Sequence, residues 1–235
     1  MKKHWNYIRL FLLFAFLIMM MSFANHRHAQ KTINAIEIEV FPFEDLFVTE
    51  SEIQSLIFPD SINDIQLSSL RLNDLEFQLI KHDLIKDAQV FYDMNGQLGV
   101  EVKQRRPVLR FLDGGFQYLD EAGKIMPLST NYSARVPIAM GFKSEEIETI
   151  FPLVKAVEKD DFLRQHVVGF NKDKEGLILS FREADFQVLF GEINQIDLKL
   201  NNFKAFYQKA KKDGKLATYK KVDLRFGNQV VCTKI

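Results

Sequence analysis

From Ala88 to Pro107 the chain reads AQVFYDMNGQLGVEVKQRRP. Apolar side chains recur at every second position on both halves of it, which is the period of a half-buried β-strand. These positions are Ala88, Val90 and Tyr92, followed by Leu98, Val100 and Val102. Between the halves, Asn95-Gly96 supplies the positive φ angles of a tight turn. The stretch therefore predicts a β-hairpin, with a hinge where Pro107 interrupts the pattern.

Upstream of the hairpin, the sequence predicts one strand and two helices. Ile36, Ile38 and Val40 alternate with two glutamates, as in a half-buried strand. The segment Thr49–Glu52 forms a capping box before a helix, and a second helical stripe follows at Leu75–Ile80. Residues 34–106 are therefore predicted to form one compact domain with the order β-α-α-β-β.

Downstream of Pro107, residues 107–235 are predicted to form a second, β-rich α+β domain. A helical pattern covers Ser144–Val157, where Pro152 is expected to break or kink the helix. An amphipathic helix is predicted for Gln195–Lys212, stopped by Asp213-Gly214. The predicted strands include Val108–Leu112, Phe116–Leu119, Ile125–Leu128, Val167–Asn171, Leu177–Phe181, Phe186–Phe190, Lys220–Phe226 and Gln229–Thr233.

The N-terminal region predicts a single transmembrane helix. Lys2, Lys3 and Arg9 precede or begin an apolar run that spans Leu10–Met21. This order predicts a cytoplasmic tail at residues 1–6, a membrane helix at 7–24, and a linker at 25–33. The alternative is a cleaved signal peptide, because the apolar run is short and Ser22-Phe23-Ala24 resembles a cleavage site. Both interpretations place the bulk of the chain outside the cytoplasm.

The composition and motifs favour a binding protein over an enzyme. The 31 basic residues balance 31 acidic ones, so no overall field attracts nucleic acid. Cys232 is the single cysteine, which excludes an intrachain disulfide. The pair His26-x-His28 lacks a third metal ligand, and no phosphate loop or nucleophile motif is present. We therefore expect no catalytic residue, cofactor, metal or small-molecule substrate.

Five segments stand out: LGVEVKQRRP at 98–107, FQYLDEAG at 116–123, MPL at 126–128, PIAMG at 137–141 and YKKVDLRFGNQ at 219–229. They resemble motifs of the cell division protein family FtsQ/DivIB. In that family a strand ends in an Arg-Pro hinge, and a Val-Asp-Leu-Arg-Tyr motif lies near the end of the chain. Phe226 stands where the family usually has Tyr.

The resemblance implies a noncatalytic scaffold of the division septum. The first exported unit is then a POTRA-like domain, and the second is the FtsQ-like β domain. The implied partners are FtsB-like and FtsL-like small coiled-coil proteins, and the implied role is to link septal proteins and help control septal peptidoglycan synthesis. The implied location is the cytoplasmic (inner) membrane, as a single-pass type II protein whose bulk lies outside the cytoplasm.

The predicted partner-binding residues are Phe226, Gly227, Asn228 and Arg182. We expect a strand over Val222–Val230 to pair edge-on with a partner strand, by β-augmentation. An arginine placed like Arg182 makes a charged contact in the family. The alternative for Phe226 is that it packs in the core of the domain.

Two other functions stay open from the sequence. An exported enzyme would show a concave pocket with perturbed titratable groups. An envelope secretion component with a POTRA-like domain would carry a long alternating-strand region after that domain, which the sequence lacks. An exposed sheet edge near the C-terminus without a catalytic pocket would favour the scaffold.

Overall fold

The alternating residues around Gly99 form the predicted hairpin at the centre of the first of two sheets. The structure is a computed structural model that describes residues 2–29, 33, 35–59, 69–93, 97–227 and 229–235. The two strands of the hairpin pair antiparallel. Five of the six alternating apolar residues are buried, and Tyr92 is exposed. The turn residues Asn95 and Gly96 lie outside the described residues.

The chain divides into two compact units, with the boundary between Gln104 and Arg105. Sequence analysis placed the boundary two residues later, after Arg106. Arg105 and Arg106 both pair with acidic residues of the second unit. Arg105 lies 3.9 Å from Asp120, and Arg106 lies 2.9 Å from Glu158.

The first unit combines a small mixed sheet with helices. Its helices are α1 (Lys2–Ala29), α2 (Glu50–Ile57) and α3 (Leu72–Ile80), and its strands are β1 (Ala35–Phe41), β2 (Ile85–Tyr92) and β3 (Gln97–Gln104). The strand order is β1-β3-β2, with β1 parallel to β3. From β1 onward this is the predicted β-α-α-β-β order. The apolar faces of the two helices are buried, at Ile53 on α2 and at Leu79 on α3.

Helix α1 is longer than the predicted membrane segment. It includes residues 2–6, assigned to a tail, and residues 25–29, assigned to a linker. Its described large apolar side chains, from Tyr7 to Phe23, are exposed. Among the residues that the structure describes, no helix reaches the length and apolarity needed to cross a membrane.

The second unit is a nine-stranded sheet with helices, which confirms the α+β fold class. The sheet order is β12-β11-β10-β9-β8-β7-β4-β5-β6. The strands are β4 (Pro107–Leu112), β5 (Phe116–Asp120), β6 (Ile125–Met126), β7 (Ile138–Met140), β8 (Val167–Asp173), β9 (Gly176–Phe181), β10 (Gln187–Gly191), β11 (Tyr219–Asp223) and β12 (Val231–Lys234). The helices are α4 (Ile147–Lys159), α5 (Asp161–His166) and α6 (Ile196–Lys212), with a 3-10 turn at Leu216–Thr218.

The core of the second unit lies between its helices and its sheet. Helix α4 buries Ile150 and Leu153, and α6 buries Phe203 and Tyr207. These side chains share one apolar cluster with alternate residues of the central strands, including Phe170. Because β10 and β11 are parallel neighbours, α6 serves as the crossover between them. This connection places β11 and β12 at the end of the sheet.

Candidate functional site

Strand β12 forms the edge of the nine-stranded sheet, because no further described strand pairs with its outer side. Its inner side pairs antiparallel with β11, where Val222 faces Cys232. The N–H of Ile235 donates to the carbonyl of Thr218 at 3.1 Å. Backbone groups alternate in direction along a strand, so the N–H groups of Cys232 and Lys234 point outward. We call this row of outward backbone groups the β12 edge.

The β12 edge is supported by packing against α6. Tyr219, at the start of β11, contacts Phe206 with ring centroids 5.2 Å apart. Val222 is fully buried, and the N–H of Leu224 donates to the carbonyl of Leu189 at 2.9 Å. Cys232 is a partly buried free thiol, and burial raises its pKa, so the thiol form is favoured at neutral pH. The edge is therefore presented on a rigid support.

Strand β11 ends at Asp223, whose carboxylate binds both the backbone and the side chain of Arg225. Its Oδ1 accepts the backbone N–H of Arg225 at 3.0 Å, and its Oδ2 accepts Arg225 Nη2 at 2.7 Å. Burial of the carboxylate acts to raise its pKa, but the hydrogen bonds and charge of Arg225 outweigh burial. The net pKa of Asp223 is therefore lowered. The charged carboxylate thus fixes a turn where a continuing strand was predicted.

The predicted strand Val222–Val230 is therefore wrong. After β11 ends at Asp223, Gly227 adopts φ +61°, and the carbonyl of Gly227 accepts Asn202 Nδ2 at 3.3 Å. The regular two-residue alternation that placed Phe226 and Asn228 on one face does not apply to such a turn. Asn228 itself lies outside the described residues.

Phe226 is exposed on this turn. Its relative exposure is 56%, so the alternative that it packs in the core is wrong. The turn leads directly into β12, which places Phe226 and Gly227 beside the Val231 end of the β12 edge.

Arg182 lies at the opposite end of the sheet from Phe226. It follows β9, and its N–H donates to the carbonyl of His166 at 2.8 Å. Strand β9 is antiparallel to β10, and β10 is parallel to β11, so the end of β9 is level with the start of β11. Phe226 follows the end of β11. The structure therefore does not bring Arg182 and Phe226 into one cluster.

The sequence analysis missed two features of this region. It identified a strand near Gln229–Thr233 but assigned partner pairing to Val222–Val230, so it missed β12 as the edge. It also missed the lysines beside Lys234. The balanced total charge concealed them, although a count over the last 32 residues reveals them: residues 204–235 contain eight lysines and one arginine against two aspartates.

A groove of about 920 Å³ lies elsewhere in the second unit. It is lined by residues such as Phe142, Pro152, Leu177, Ile193 and Lys199. Lys199 is 3% exposed, and burial lowers its pKa. This is the kind of pocket that the enzyme alternative predicted.

The contacts of Lys199 give it a structural role. Its ammonium donates to the carbonyls of Phe190 (3.1 Å) and Glu192 (2.8 Å) and to Asn194 Oδ1 (2.8 Å). These contacts occupy all three ammonium hydrogens and hold the loop before α6, where Gln195 has φ 47°. In the described part of the chain, no group of three His, Cys, Asp or Glu side chains is arranged to hold a metal ion.

Comparison with known proteins gives one family match. A family model described as "FtsQ/DivIB, C-terminal related" matches residues 106–233, more than half of the 235-residue chain. The comparison with curated proteins finds no match. The matched range begins beside the boundary of the second unit and extends into β12.

Proposed function

This chain belongs to the FtsQ/DivIB family, and from that premise we propose that it is a noncatalytic scaffold of cell division. In this proposal the scaffold binds FtsB-like and FtsL-like proteins, links septal proteins to one another, and so helps control septal peptidoglycan synthesis. The first unit, from β1 to Gln104, serves as the POTRA-like domain, and the second unit serves as the β domain.

The observation that carries this proposal is the open β12 edge. An edge strand exposes backbone donors and acceptors that an extended segment of another protein can satisfy. Here the edge is supported by buried side chains of β11 and α6, so it needs little reorganisation before it binds.

Phe226 and Gly227 are the proposed side contacts at one end of this edge. An exposed aromatic ring beside a docking strand is a typical hot spot, because its burial on binding removes a large apolar area from water. Asn228, their neighbour in sequence, is a further proposed contact. Arg182 stays as a separate contact, since it lies at the other end of the sheet.

The direct test removes one outward donor of the β12 edge. In Cys232→Pro the ring replaces the N–H that points away from β11, and proline is tolerated at such edge positions. Cys232→Ala is the matched control, because it changes the side chain but keeps the donor. Binding to the extracytoplasmic segment of the organism's FtsB-type protein, measured by calorimetry, should be lost only in Cys232→Pro. If the folded proline variant binds as tightly as Cys232→Ala, the proposed site is wrong.

Membrane attachment and septal location also belong to the proposal. They are supported by the family and by the basic residues that precede the apolar run in α1. Mass spectrometry of the membrane-extracted protein tests the attachment. A retained N-terminal segment supports an anchor, whereas a mature chain that begins at Asn25 identifies a cleaved signal peptide.

A further inference from the structure

The sequence around the β12 edge is strongly basic, although the chain as a whole is neutral. Residues 204–235 contain eight lysines and one arginine against two aspartates. Some of these charges are paired: Lys204 lies 2.5 Å from Asp160, Lys221 lies 2.5 Å from Glu175, and Arg225 pairs with Asp223. The remaining cations form an excess that the local acidic residues do not balance.

The fold gathers the excess lysines at one end of the β12 edge. Lys234 faces Tyr219 across the β11–β12 ladder, next to Lys220. The N–H of Lys215 donates to the carbonyl of Ala210 at 2.9 Å, which folds the chain back onto the last turns of α6. We call the four lysines of this region, Lys212, Lys215, Lys220 and Lys234, the basic end.

Most of the basic end has no acidic partner in the described part of the chain. All four lysines are exposed, and only Lys215 approaches a carboxylate, that of Asp213 at 3.9 Å. The acidic residues of the β9–β10 turn, Glu183 and Asp185, lie on the other side of β11 from β12. The excess positive charge therefore borders the open edge.

The electrostatics of α6 explain only part of this arrangement. Cations in the last turn of a helix stabilise its dipole, which accounts for Lys212. Lys220 and Lys234 lie on strands, where no such effect applies. Neither lysine is ion-paired within the described part of the chain, so both ammonium groups stay available to an external anion.

We propose that the basic end binds an acidic flank of the partner segment that pairs with the β12 edge. This inference rests on the proposed function and adds the chemistry of the partner. The partner has an extended stretch that lies along β12, with aspartates or glutamates at the end of that stretch that lies beside Lys220 and Lys234. The opposite end of the same stretch contacts Phe226. Charges at the rim of an interface act mainly on the association rate and on its salt dependence.

The test compares two matched charge reversals in the full chain. Lys212→Glu with Lys220→Glu reverses two charges of the basic end. Lys124→Glu with Lys159→Glu reverses two exposed lysines elsewhere in the same unit. Association of the FtsB-type extracytoplasmic segment is measured by surface plasmon resonance at low and high NaCl, with thermal melts to check folding. The neutral variant Lys212→Gln with Lys220→Gln gives an intermediate charge.

Reversal at the basic end should slow association about tenfold or more at low salt. It should also remove the salt dependence of the association rate, because salt screens charge attraction beyond roughly 10 Å at 0.1 M. The neutral pair should give a smaller slowing, and the control pair should associate like the unmodified chain. If the basic-end variant associates normally while Cys232→Pro abolishes binding, this inference is overturned and the proposed function stands. If the unmodified chain does not bind the FtsB-type segment at all, both are overturned.

Discussion

At the scale of single residues, Asp223 and Phe226 determine how the chain enters the β12 edge. Asp223 accepts hydrogen bonds from Arg225 and ends β11, and the turn that follows exposes Phe226. The family motif identified Phe226 from the sequence, but the motif could not reveal its exposure. That property depends on a turn stabilised by the Asp223–Arg225 pair and by the hydrogen bond that Asn202 donates to the carbonyl of Gly227.

Phe226→Glu should abolish partner binding and leave folding intact. Because the side chain is 56% exposed, the new charge stays hydrated, and the free energy of unfolding should change by less than about 0.5 kcal/mol. Calorimetric binding and thermal melts measure the two effects. Phe116→Glu is the control, since Phe116 is 44% exposed on β5, far along the sheet from β12. Normal binding by a well-folded Phe226→Glu protein would contradict the prediction.

Asp223→Asn should destabilise the second unit in a pH-dependent manner. The folded carboxyl group has a lowered pKa, so its contribution is complete above the unfolded value of about 3.9 and is lost as the pH falls through the folded pKa. Loss of its charge-assisted hydrogen bonds should cost about 1.5–3 kcal/mol at pH 7. Urea unfolding at pH 7 and near pH 3 measures this difference, which should shrink in acid. An equal difference at both pH values would show that the charge of Asp223 is unimportant.

At the scale of elements, apolar stripes and caps predicted the helices well. The capping box is present at α2, where Glu52 N–H donates to Thr49 Oγ1 and Thr49 N–H donates to Glu52 Oε2. The stripe of α6 is also buried as predicted, at Leu200, Phe203 and Tyr207. Such elements depend on residues near in sequence, which is why their pattern is informative.

Helix α4 is not broken at Pro152, which was one of the two outcomes predicted there, because tertiary packing overrides the local preference. It runs unbroken from Ile147 to Lys159 through Pro152. Ile150, Leu153 and Val154, on both sides of the proline, are buried in the core. Their burial stabilises the helix by more than the lost hydrogen bond costs, a comparison that the sequence alone does not supply.

Pro152→Ala should therefore stabilise the second unit. Alanine restores a hydrogen bond to the carbonyl of Glu148 and removes the clash with it, which is worth about 3 kcal/mol. The greater freedom of the unfolded chain offsets up to about 1 kcal/mol, leaving a gain of about 2 kcal/mol. Urea denaturation measures it, with Lys155→Ala as the control in the same helix. A loss of stability would indicate that the proline ring makes packing contacts worth more than the helix hydrogen bond.

At the scale of the whole molecule, each unit has its own stabilising contacts. In the first unit, Gln104 is 3% exposed, and its Oε1 accepts the N–H groups of Phe47 (2.6 Å) and Val48 (3.0 Å). Its Nε2 donates to the carbonyls of Pro42 and Asp45, both at 3.3 Å. The hairpin predicted the strand that ends at Gln104, but these long-range bonds left no pattern in the sequence.

A fragment of residues 33–106 should fold without the rest of the chain. Circular dichroism should show mixed helix and sheet content that melts cooperatively. Within this fragment, Gln104→Ala should lower the free energy of unfolding by about 2–6 kcal/mol, because four hydrogen bonds are lost at roughly 0.5–1.5 kcal/mol each. Gln97→Ala, at the partly exposed start of β3, is the control. A random-coil spectrum of the unmodified fragment would show that the unit boundary does not define a domain.

The shortness of β12 sets an upper limit on how tightly its backbone alone can hold another chain. Four residues offer two outward N–H groups and about two carbonyls, so pairing yields about four hydrogen bonds at roughly 1 kcal/mol each. About 4 kcal/mol corresponds to millimolar affinity, before the entropy of association is subtracted. A complex built on this strand must therefore draw the rest of its affinity from side-chain contacts, such as those proposed for Phe226 and the basic end, or from further attachments to the same partner.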